Sequence, residues 1–254
     1  MNLRTCVFAF VGLTALDAAA ADETIRVGSK RFTESYILGE ILKQTIEATG
    51  EAKVEHRQGL GNTAIVFEAL KSGAIHLYPD YTGTIEKEIL KSEQALTLAQ
   101  MNEQLAPLGL EVGVPLGFNN TYALGMRDAQ AAQFGIKTLS DLARNPQVAK
   151  LRFGLTQEFI GRNDGWPGLQ ARYKIPVATP QGLDHGLAYE AIAAGQIDIM
   201  DIYSTDAKIE RYKLRVLLDD QTYFPKYDAI ILYRQDIKSK YPRSMAVVQR
   251  LAAT

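Results

Sequence analysis

Cysteine is almost absent from this sequence: the chain of 254 residues contains one, Cys6. Cys6 lies in an N-terminal segment typical of a secretory signal peptide, with an apolar run over 6–16 and small residues over 18–21. We predict that residues 1–21 are a signal peptide cleaved after Ala21; a membrane anchor is the weaker interpretation because the run is too short and Asp17 follows it. The mature chain then cannot hold a disulfide or a thiolate metal site, so its core alone must stabilise it.

An excess of charge of either sign is also missing. Lysine and arginine number 28 and aspartate and glutamate 29, for a net charge of -1. Such a balance offers little attraction to a phosphate backbone or an anionic membrane, so we predict no nucleic-acid partner. After residue 21 no apolar stretch reaches spanning length and no low-complexity linker interrupts the chain. A cysteine that carries a lipid follows the apolar run of its signal peptide. Because Cys6 stands at the start of the run, we do not expect it to be a lipid attachment site. We predict a free periplasmic protein, and a monomer.

Signals of catalysis are weak. The three histidines lack metal-ligand spacing: His56, His76 and His185. Ser204 is not in a Gly-x-Ser-x-Gly elbow, and no glycine-rich phosphate loop is present. Three carboxylates are the candidates for an acid/base set: Asp80, Asp201 and Asp206. Because none is accompanied by an activated nucleophile, we predict that the chain is not an enzyme and has no metal and no cofactor.

The chain does contain an internal repeat, over residues 68–84 and 190–206. Each copy predicts a helix that ends at a glycine, then a short apolar strand, then a polar turn with a tyrosine, Tyr81 or Tyr203. Ligands of open α/β sheets bind at the carboxyl ends of the strands. Two equivalent strand ends therefore indicate two α/β lobes that close on one small molecule.

Strands and helices alternate around the repeat. We predict strands over 25–28, 53–57 and 75–78, a helix over 33–49 that Thr33 caps, and a helix over 63–72. This βαβαβ order indicates a parallel sheet. A second such unit begins with a strand at 151–154, which echoes 25–28, and continues through a helix over 167–173 and the segments 181–194 and 197–202.

Two further segments are expected to cross between the lobes. One is the extended, glycine-containing stretch 110–126, and the other begins with the apolar strand 227–233. Two crossings make the first lobe discontinuous. We predict that lobe one contains residues 22–116 and 227–254 and that lobe two contains residues 117–226.

Seven motifs carry a resemblance to a known family; they cover residues 28–34, 59–63, 77–84, 118–123, 158–165, 203–206 and 224–229. In this order, over nearly the whole mature chain, they resemble the substrate-binding proteins of osmoprotectant ABC transporters, which take up glycine betaine, choline, carnitine and similar quaternary amines. The resemblance implies a type II-like periplasmic binding protein, with each lobe a mixed, mainly parallel sheet flanked by helices, that delivers its ligand to the permease subunits of an ABC transporter. Asn62 departs from the family pattern, which has a second glycine there, and the end at Thr254 within a predicted helix suggests a truncated chain.

An aromatic site suits such a ligand on physical grounds. A quaternary ammonium has diffuse charge and no proton to donate, so it binds best against the faces of aromatic rings. The resemblance implies a ligand box of four tyrosines: Tyr81, Tyr122, Tyr203 and Tyr227. Tyr81 and Tyr203 are also the pair that the internal repeat singles out. Tyr78 is expected to pack in the core. Tyr223 and Phe224 are the alternatives if the family motif aligns with this sequence in a different register.

The polar end of the ligand requires other residues. By resemblance, Lys30, Thr84 and Arg162 are candidates for a carboxylate. The alternative for Arg162 is an ion pair with Asp164 or Glu158, although Asp164 is expected to cap the helix after Gly165.

Asn62 either adds a hydrogen bond to the ligand, caps its helix or narrows the site. If it narrows the site, the ligand becomes a different small amine or an amino acid bound by the same fold. A transcription-regulator effector domain shares the two-lobed architecture, but the leader and the lack of a DNA-binding module oppose that assignment.

Overall fold

The structure is a computed structural model that describes residues 24–177 and 179–251. The predicted signal peptide and the predicted truncation at Thr254 lie outside these residues and stay predictions. The described strands are β1 (Thr24–Gly28), β2 (Lys53–Arg57), β3 (Leu77–Tyr81), β4 (Leu110–Val112), β5 (Tyr122–Arg127), β6 (Gly154–Thr156), β7 (Gln181–Leu183), β8 (Ile199–Tyr203), β9 (Leu214–Val216) and β10 (Ala229–Arg234).

The described α-helices are α1 (Thr33–Glu47), α2 (Thr63–Lys71), α3 (Thr82–Thr84), α4 (Leu98–Leu105), α5 (Asp128–Phe134), α6 (Leu139–Arg144), α7 (Gln157–Gly161), α8 (Trp166–Tyr173), α9 (His185–Ala193), α10 (Lys208–Arg211), α11 (Ile237–Lys240) and α12 (Pro242–Arg250). A π-helical turn covers Ile85–Ile89, and 3₁₀ turns cover Ala106–Leu108 and Val148–Lys150.

Lobe one is built on a five-stranded sheet in the order β2-β1-β3-β10-β4. Strand β1 runs parallel to β2 and β3, whereas β10 runs antiparallel to β3 and β4. The sheet is therefore mixed, and its parallel half is the βαβαβ unit predicted from the sequence. Because β10 follows all strands of the second lobe in the chain, lobe one is assembled from two separate parts of the sequence.

Lobe two repeats this arrangement. Strand β5 lies antiparallel between β8 and β9, and β6 pairs in parallel with β7. A parallel bridge between Phe153 and Ile199 joins the two groups. The resulting order, β7-β6-β8-β5-β9, matches that of lobe one strand for strand, with β8 in the place of β3. The internal repeat of the sequence thus marks the same central position in each lobe.

Two chain segments connect the lobes, over residues 113–121 and 217–228. They run side by side, since Asn119 and Asp228 form an antiparallel bridge and the Asn119 amide donates to the Asp228 carboxylate over 3.3 Å. The first crossing is shorter than the predicted 110–126 because both ends of that range are strands, one in each lobe. The structure thus has the predicted two crossings, while the exact lobe boundaries stay a prediction.

Some local predictions were wrong. Thr33 does not cap α1 but is its first helical residue; the cap position is taken by Phe32, whose backbone is extended (φ -157°). The third strand begins at Leu77 instead of Ile75 and continues through Pro79 to Tyr81. Glycine at position 73 (φ +78°) directs the chain out of α2, and the backbone amide of Ile75 still bonds to Ala69 in that helix. The strand consequently starts later and delivers Tyr81 to its last position.

The buried apolar side chains divide between the lobes, with one exception. Separate clusters fill each lobe around its sheet. The remaining cluster lies mainly in lobe two but also contains Phe32 and Tyr81 from lobe one. Phe32, just before α1, and Tyr81, at the end of β3, thus pack against aromatic side chains of lobe two.

Candidate ligand-binding site

The four predicted tyrosines lie together between the lobes. Tyr81 and Tyr203 are the last residues of β3 and β8, and Tyr122 is the first residue of β5. Because β5 runs antiparallel to β8, Tyr122 pairs directly with Tyr203 in the register of the sheet. Tyr227 lies on the second crossing, just before β10. The topology of the two sheets thus brings all four to one place.

Their rings contact one another. The ring centroid of Tyr122 lies 5.3 Å from that of Tyr203 and 5.4 Å from that of Tyr227, the latter edge to face. Phe32 joins the group, at 4.8 Å from Tyr203 and 6.3 Å from Tyr81. We call these five residues the aromatic cage. They line a small cavity together with four other residues: Lys30, Thr84, Asn120 and Glu158.

The cage is shielded from solvent. Its four tyrosines are between 1% and 9% exposed. Burial raises the pKa of each hydroxyl well above its usual value. The rings are therefore neutral at physiological pH and desolvated, the condition under which an aromatic face attracts a cation most strongly.

Glu34 joins one cage ring to the opposite lobe. The Tyr81 hydroxyl donates to Glu34 Oε1 at 2.5 Å, and the Asn120 amide donates to the same oxygen at 2.7 Å. Thr205 of lobe two donates its hydroxyl to Glu34 Oε2. The hydroxyl of Tyr203, in contrast, has no hydrogen-bond partner in the described part of the chain.

Arg162 lies behind the cage, 3% exposed, and does not line its cavity. Its guanidinium donates to both carboxylate oxygens of Asp164, at 2.8 and 2.6 Å, and to the Thr84 hydroxyl at 3.2 Å. Burial alone would raise the pKa of Asp164. The hydrogen bonds and positive charge of Arg162 outweigh this effect and hold that pKa below its usual value. Of the two roles expected for Arg162, the structure shows the ion pair with Asp164.

The predicted helix cap at Asp164 was wrong. Helix α8 has Gly165 at its cap position and no side-chain cap. Asp164 instead accepts from Arg162, as above, and from the Tyr227 hydroxyl at 2.8 Å. Its carboxylate is therefore needed to neutralise a buried guanidinium and to hold a cage ring in place.

Lys30 is also paired. Its ammonium lies 2.6 Å from Asp80 Oδ1 and 3.1 Å from the Thr63 hydroxyl, and the residue is 4% exposed. Thr63 in turn donates to Glu158 of lobe two at 2.5 Å. Lys30 lines the cage cavity with its charge balanced by Asp80, and its contact with a ligand carboxylate stays a prediction.

Asn62 caps helix α2, accepting from the backbone amide of Ile65 at 3.2 Å. It lines a wider cleft beside the cage instead of the cage itself. The cap is thus one of the roles expected for Asn62, while its effect on specificity stays a prediction.

The wider cleft has a volume of about 530 Å³ and opens between the lobes next to the cage. Lys30, Phe32, Glu158 and Tyr203 line both spaces. The other lining residues include Arg31, Asn62 and Ile65 from lobe one and Gln157, Asp184, His185 and Leu187 from lobe two.

Sequence reasoning missed four residues of the site: Phe32, Glu34, Asn120 and Glu158. Phe32 and Glu34 lie in the motif 28–34 and Asn120 in the motif 118–123, so the motifs contained the signal. Glu158 was considered only as a partner for Arg162, and its oxygen indeed lies 3.6 Å from that guanidinium. Phe224 packs against the outer side of Tyr122, at 6.2 Å between centroids, and does not line the cage.

The carboxylates considered for catalysis are all held by neighbours. Asp80 binds Lys30, as above; Asp201 accepts from the backbone amide and hydroxyl of Thr156 at 2.6 and 2.7 Å. Asp206 accepts from Tyr189 at 2.7 Å and lies 2.8 Å from His185 Nε2. Within the described residues there is no group of three or more side chains suited to hold a metal ion. The arrangement can bind a ligand and presents no activated nucleophile or base.

The fold and site define a two-lobed binding protein whose aromatic site lies between the lobes. Residues 23–254 match the family described as the substrate binding domain of ABC-type glycine betaine transport systems. The chain belongs to this family, whose members are binding proteins and not enzymes. Across the described residues, no helix has the length and apolar character to cross a membrane.

Three relatives are informative. The chain is 34% identical over 239 residues to the ergothioneine transport permease/ergothioneine binding protein EgtU of Helicobacter pylori, covering 92% of this chain and 42% of that protein. It is 34% identical to a glycine-betaine-binding protein of Pseudomonas aeruginosa, covering 94% and 80%. It is 31% identical to the carnitine transport binding protein OpuCC of Listeria monocytogenes, covering 91% and 77%. The chain thus spans less than half of the first relative's length and most of the other two.

A solved structure agrees with these relatives. The crystal structure of a glycine betaine/carnitine/choline ABC transporter protein superposes with a TM-score of 0.68 at 26% identity, covering 90% of this chain and 86% of that one. A choline-binding protein in complex with choline superposes with a TM-score of 0.65 at 15% identity, covering 91% and 78%, which shows the common fold alone.

Proposed function

We propose that this protein captures a small trimethylammonium compound in the aromatic cage and delivers it to an ABC permease. The observation that carries the proposal is the group of four desolvated tyrosines and Phe32 around one cavity between the lobes. Each ring attracts a cation by about 0.5 to 2 kcal/mol, so the tyrosines together supply several of the roughly 8 kcal/mol of a micromolar affinity. Such a site has little to offer a ligand without a diffuse positive charge.

The ligands named by the relatives share one chemistry. Ergothioneine, glycine betaine and carnitine each combine a trimethylammonium group with a carboxylate. We propose a betaine of this kind as the ligand, with Lys30, Thr84 and Arg162 near its carboxylate and Asn62 at the edge of the site. Choline, which has the ammonium without the carboxylate, would use the cage alone.

Closure of the lobes is the proposed mechanism. Tyr81 and Phe32 belong to lobe one, and Tyr122 and Tyr203 to lobe two. A ligand between them contacts both lobes only in the closed state, so binding shifts the population toward that state. We place the hinge in the paired crossings, which gives the lobe boundaries at about residues 116 and 226. The protein would act as a periplasmic monomer after removal of residues 1–21, with no role for nucleic acid.

Thermal denaturation with candidate ligands tests the proposal. A ligand that binds only the native state, present at a concentration of about one hundred times its Kd, stabilises that state by about 2.7 kcal/mol. We expect glycine betaine, carnitine or choline to raise the unfolding temperature. We expect no rise with the neutral isostere of choline, in which a quaternary carbon replaces the nitrogen. Equal effects of choline and its isostere, or stabilisation by basic amino acids alone, would contradict the proposal.

A further inference from the structure

The two cations nearest the cage have their charges already balanced. Lys30 forms an ion pair with Asp80 at 2.6 Å, and Arg162 forms a two-point ion pair with Asp164. Both acids are at least nine-tenths buried: the Asp80 side chain is 0% exposed and that of Asp164 is 10% exposed. A ligand carboxylate near either cation would therefore share that cation with an acid of the protein, and neither cation carries an unbalanced charge.

Arg31 is a third cation; Asp184 and Glu158 line the same cleft, but neither forms an ion pair with it. It follows Lys30 in the loop before α1, and its backbone amide bonds to Gly61 at 3.0 Å, which fixes the loop. Its side chain is exposed and lines the wider cleft. The guanidinium makes no hydrogen bond or ion pair with any residue in the described ranges. The planar guanidinium can therefore donate two parallel hydrogen bonds to a ligand carboxylate.

The opposite wall of the cleft carries a second group without a partner. His185 is 9% exposed, and its ring lies 4.4 Å from that of Tyr203 in the cage. Its Nε2 lies 2.8 Å from Asp206, whereas the buried Nδ1 has no hydrogen-bond partner among the described residues. With Nε2 bound to the carboxylate, Nδ1 is the ring nitrogen left for a ligand to bind. A buried polar atom without a partner is unfavourable, so a hydrogen-bond partner supplied by a ligand would stabilise it.

The cleft also has an apolar rim. Ile65 of lobe one and Leu187 of lobe two both line it and are 54% and 63% exposed. The apolar rim beside the Arg31 cation fits an organic anion with a carbon chain better than it fits an inorganic ion.

We propose that this cleft is a second subsite, which binds the distal part of an elongated betaine, and that Arg31 contacts its carboxylate. The inference rests on the proposed function, since the ammonium end occupies the cage and the rest of the molecule passes Tyr203 into the cleft. Arg31 lines the wider cleft and not the cage cavity, and glycine betaine has a single carbon between its ammonium and its carboxylate, so we expect it to use the cage alone. Betaines with several intervening carbons, such as carnitine, are the ligand class that uses both spaces.

Calorimetric titration of three probes against three proteins tests this subsite. The probes are carnitine, choline and glycine betaine, and the proteins are the wild type, Arg31→Gln and Arg250→Gln. Arg250 is an exposed arginine at the end of α12, outside the cleft, and its substitution removes the same charge. Loss of a charged hydrogen bond predicts about tenfold weaker carnitine binding by Arg31→Gln, with the other two probes changed by less than roughly twofold. We expect Arg250→Gln to bind all three as the wild type does.

Two outcomes would overturn the subsite while leaving the cage intact. One is unchanged carnitine binding by Arg31→Gln; the other is an equal loss of carnitine and choline, which would show that Arg31 acts on closure of the lobes. A wild-type protein that binds none of the three probes would overturn the proposed function, and the subsite with it. The choline titration of the wild type therefore distinguishes the two failures.

Discussion

Single residues in equivalent positions of the two lobes are not chemically equivalent. Tyr81 and Tyr203 end corresponding strands, yet only the Tyr81 hydroxyl is bound, to Glu34 at 2.5 Å. That hydrogen bond is to a charged acceptor and links the ring to Asn120 and Thr205 through the same carboxylate. The repeat thus provides two similar rings, of which one is held by a network and the other by packing alone.

This asymmetry predicts different effects of removing the two hydroxyls. Tyr203→Phe keeps the ring and loses no hydrogen bond, so ligand affinity should stay within roughly twofold of wild type. Tyr81→Phe removes one of the three donors to Glu34, a hydrogen bond to a carboxylate whose loss costs about 1.5 kcal/mol and should weaken binding about tenfold. Titration of choline into both variants, with Tyr→Ala at each position as the ring-deletion control, measures the difference. Equal losses in the two Phe variants would contradict the asymmetry.

The site residues divide into those that the sequence could reveal and those that it could not. The tyrosines were predictable, Tyr81 and Tyr203 from the repeat and the others by resemblance, since the motifs around them are local. The pairing of Lys30 with Asp80 joins residues far apart in the chain and depends on how deeply each is buried. No local sequence pattern encodes that burial. The sequence therefore predicts a Lys30 that is available to a ligand, whereas in the structure its charge is balanced by Asp80.

At the scale of elements, the parallel βαβαβ units were predictable because each is contiguous in the sequence. The antiparallel insertion of β10 beside β3 was not, because β10 follows β3 by most of the chain. The sequence indicates that the segment of β10 is an extended strand. Neither its hydrophobicity nor its length shows which strand of the sheet it pairs with. The direction of β5 is what sets Tyr122 against Tyr203, so that part of the site needed the structure.

The start of β3 carries a histidine whose protonation should weaken the fold. His76 Nδ1 accepts the backbone amide of Arg26 at 2.9 Å, and the His76 amide bonds back to Arg26 at 2.7 Å, which ties β3 to β1. Burial, aided by the charge of Arg26, lowers the pKa of His76 to about 4. The folded state thus holds the neutral ring, whereas the unfolded chain takes up a proton near pH 6.5.

We therefore predict a loss of stability on acidification. Between about pH 6.5 and pH 4 the unfolded state binds the proton and the folded state does not, so the free energy of unfolding falls as the pH falls. The expected contribution is about 1 to 2 kcal/mol, because solvent screens this half-buried group. Urea denaturation at several pH values should show the loss in wild type and a smaller one in His76→Asn, which cannot titrate. Identical pH dependence in the two proteins would exclude this role for His76.

At the scale of the whole molecule, polar contacts reinforce the aromatic contact between the lobes. Thr63 donates to Glu158, Thr205 donates to Glu34, and Arg162 donates to Thr84, each across the interface. All three contacts lie beside the cage, at residues outside the strands of the two lobes. Under the proposed mechanism they form when the lobes close and break when the lobes open, while the sheets stay intact.

The Thr205–Glu34 contact predicts how closure sets the lifetime of the complex. Thr205→Val removes one hydrogen bond to a carboxylate in the closed state while the lobes stay intact, so dissociation should become about tenfold faster. Because this contact forms between lobes and not with the ligand, choline and carnitine should be affected equally, unlike in Arg31→Gln. Stopped-flow dissociation measures the rate, and Thr205→Ser, which keeps the hydroxyl, is the control. A change confined to one ligand, or an equally fast Thr205→Ser, would mean that this contact does not hold the lobes closed.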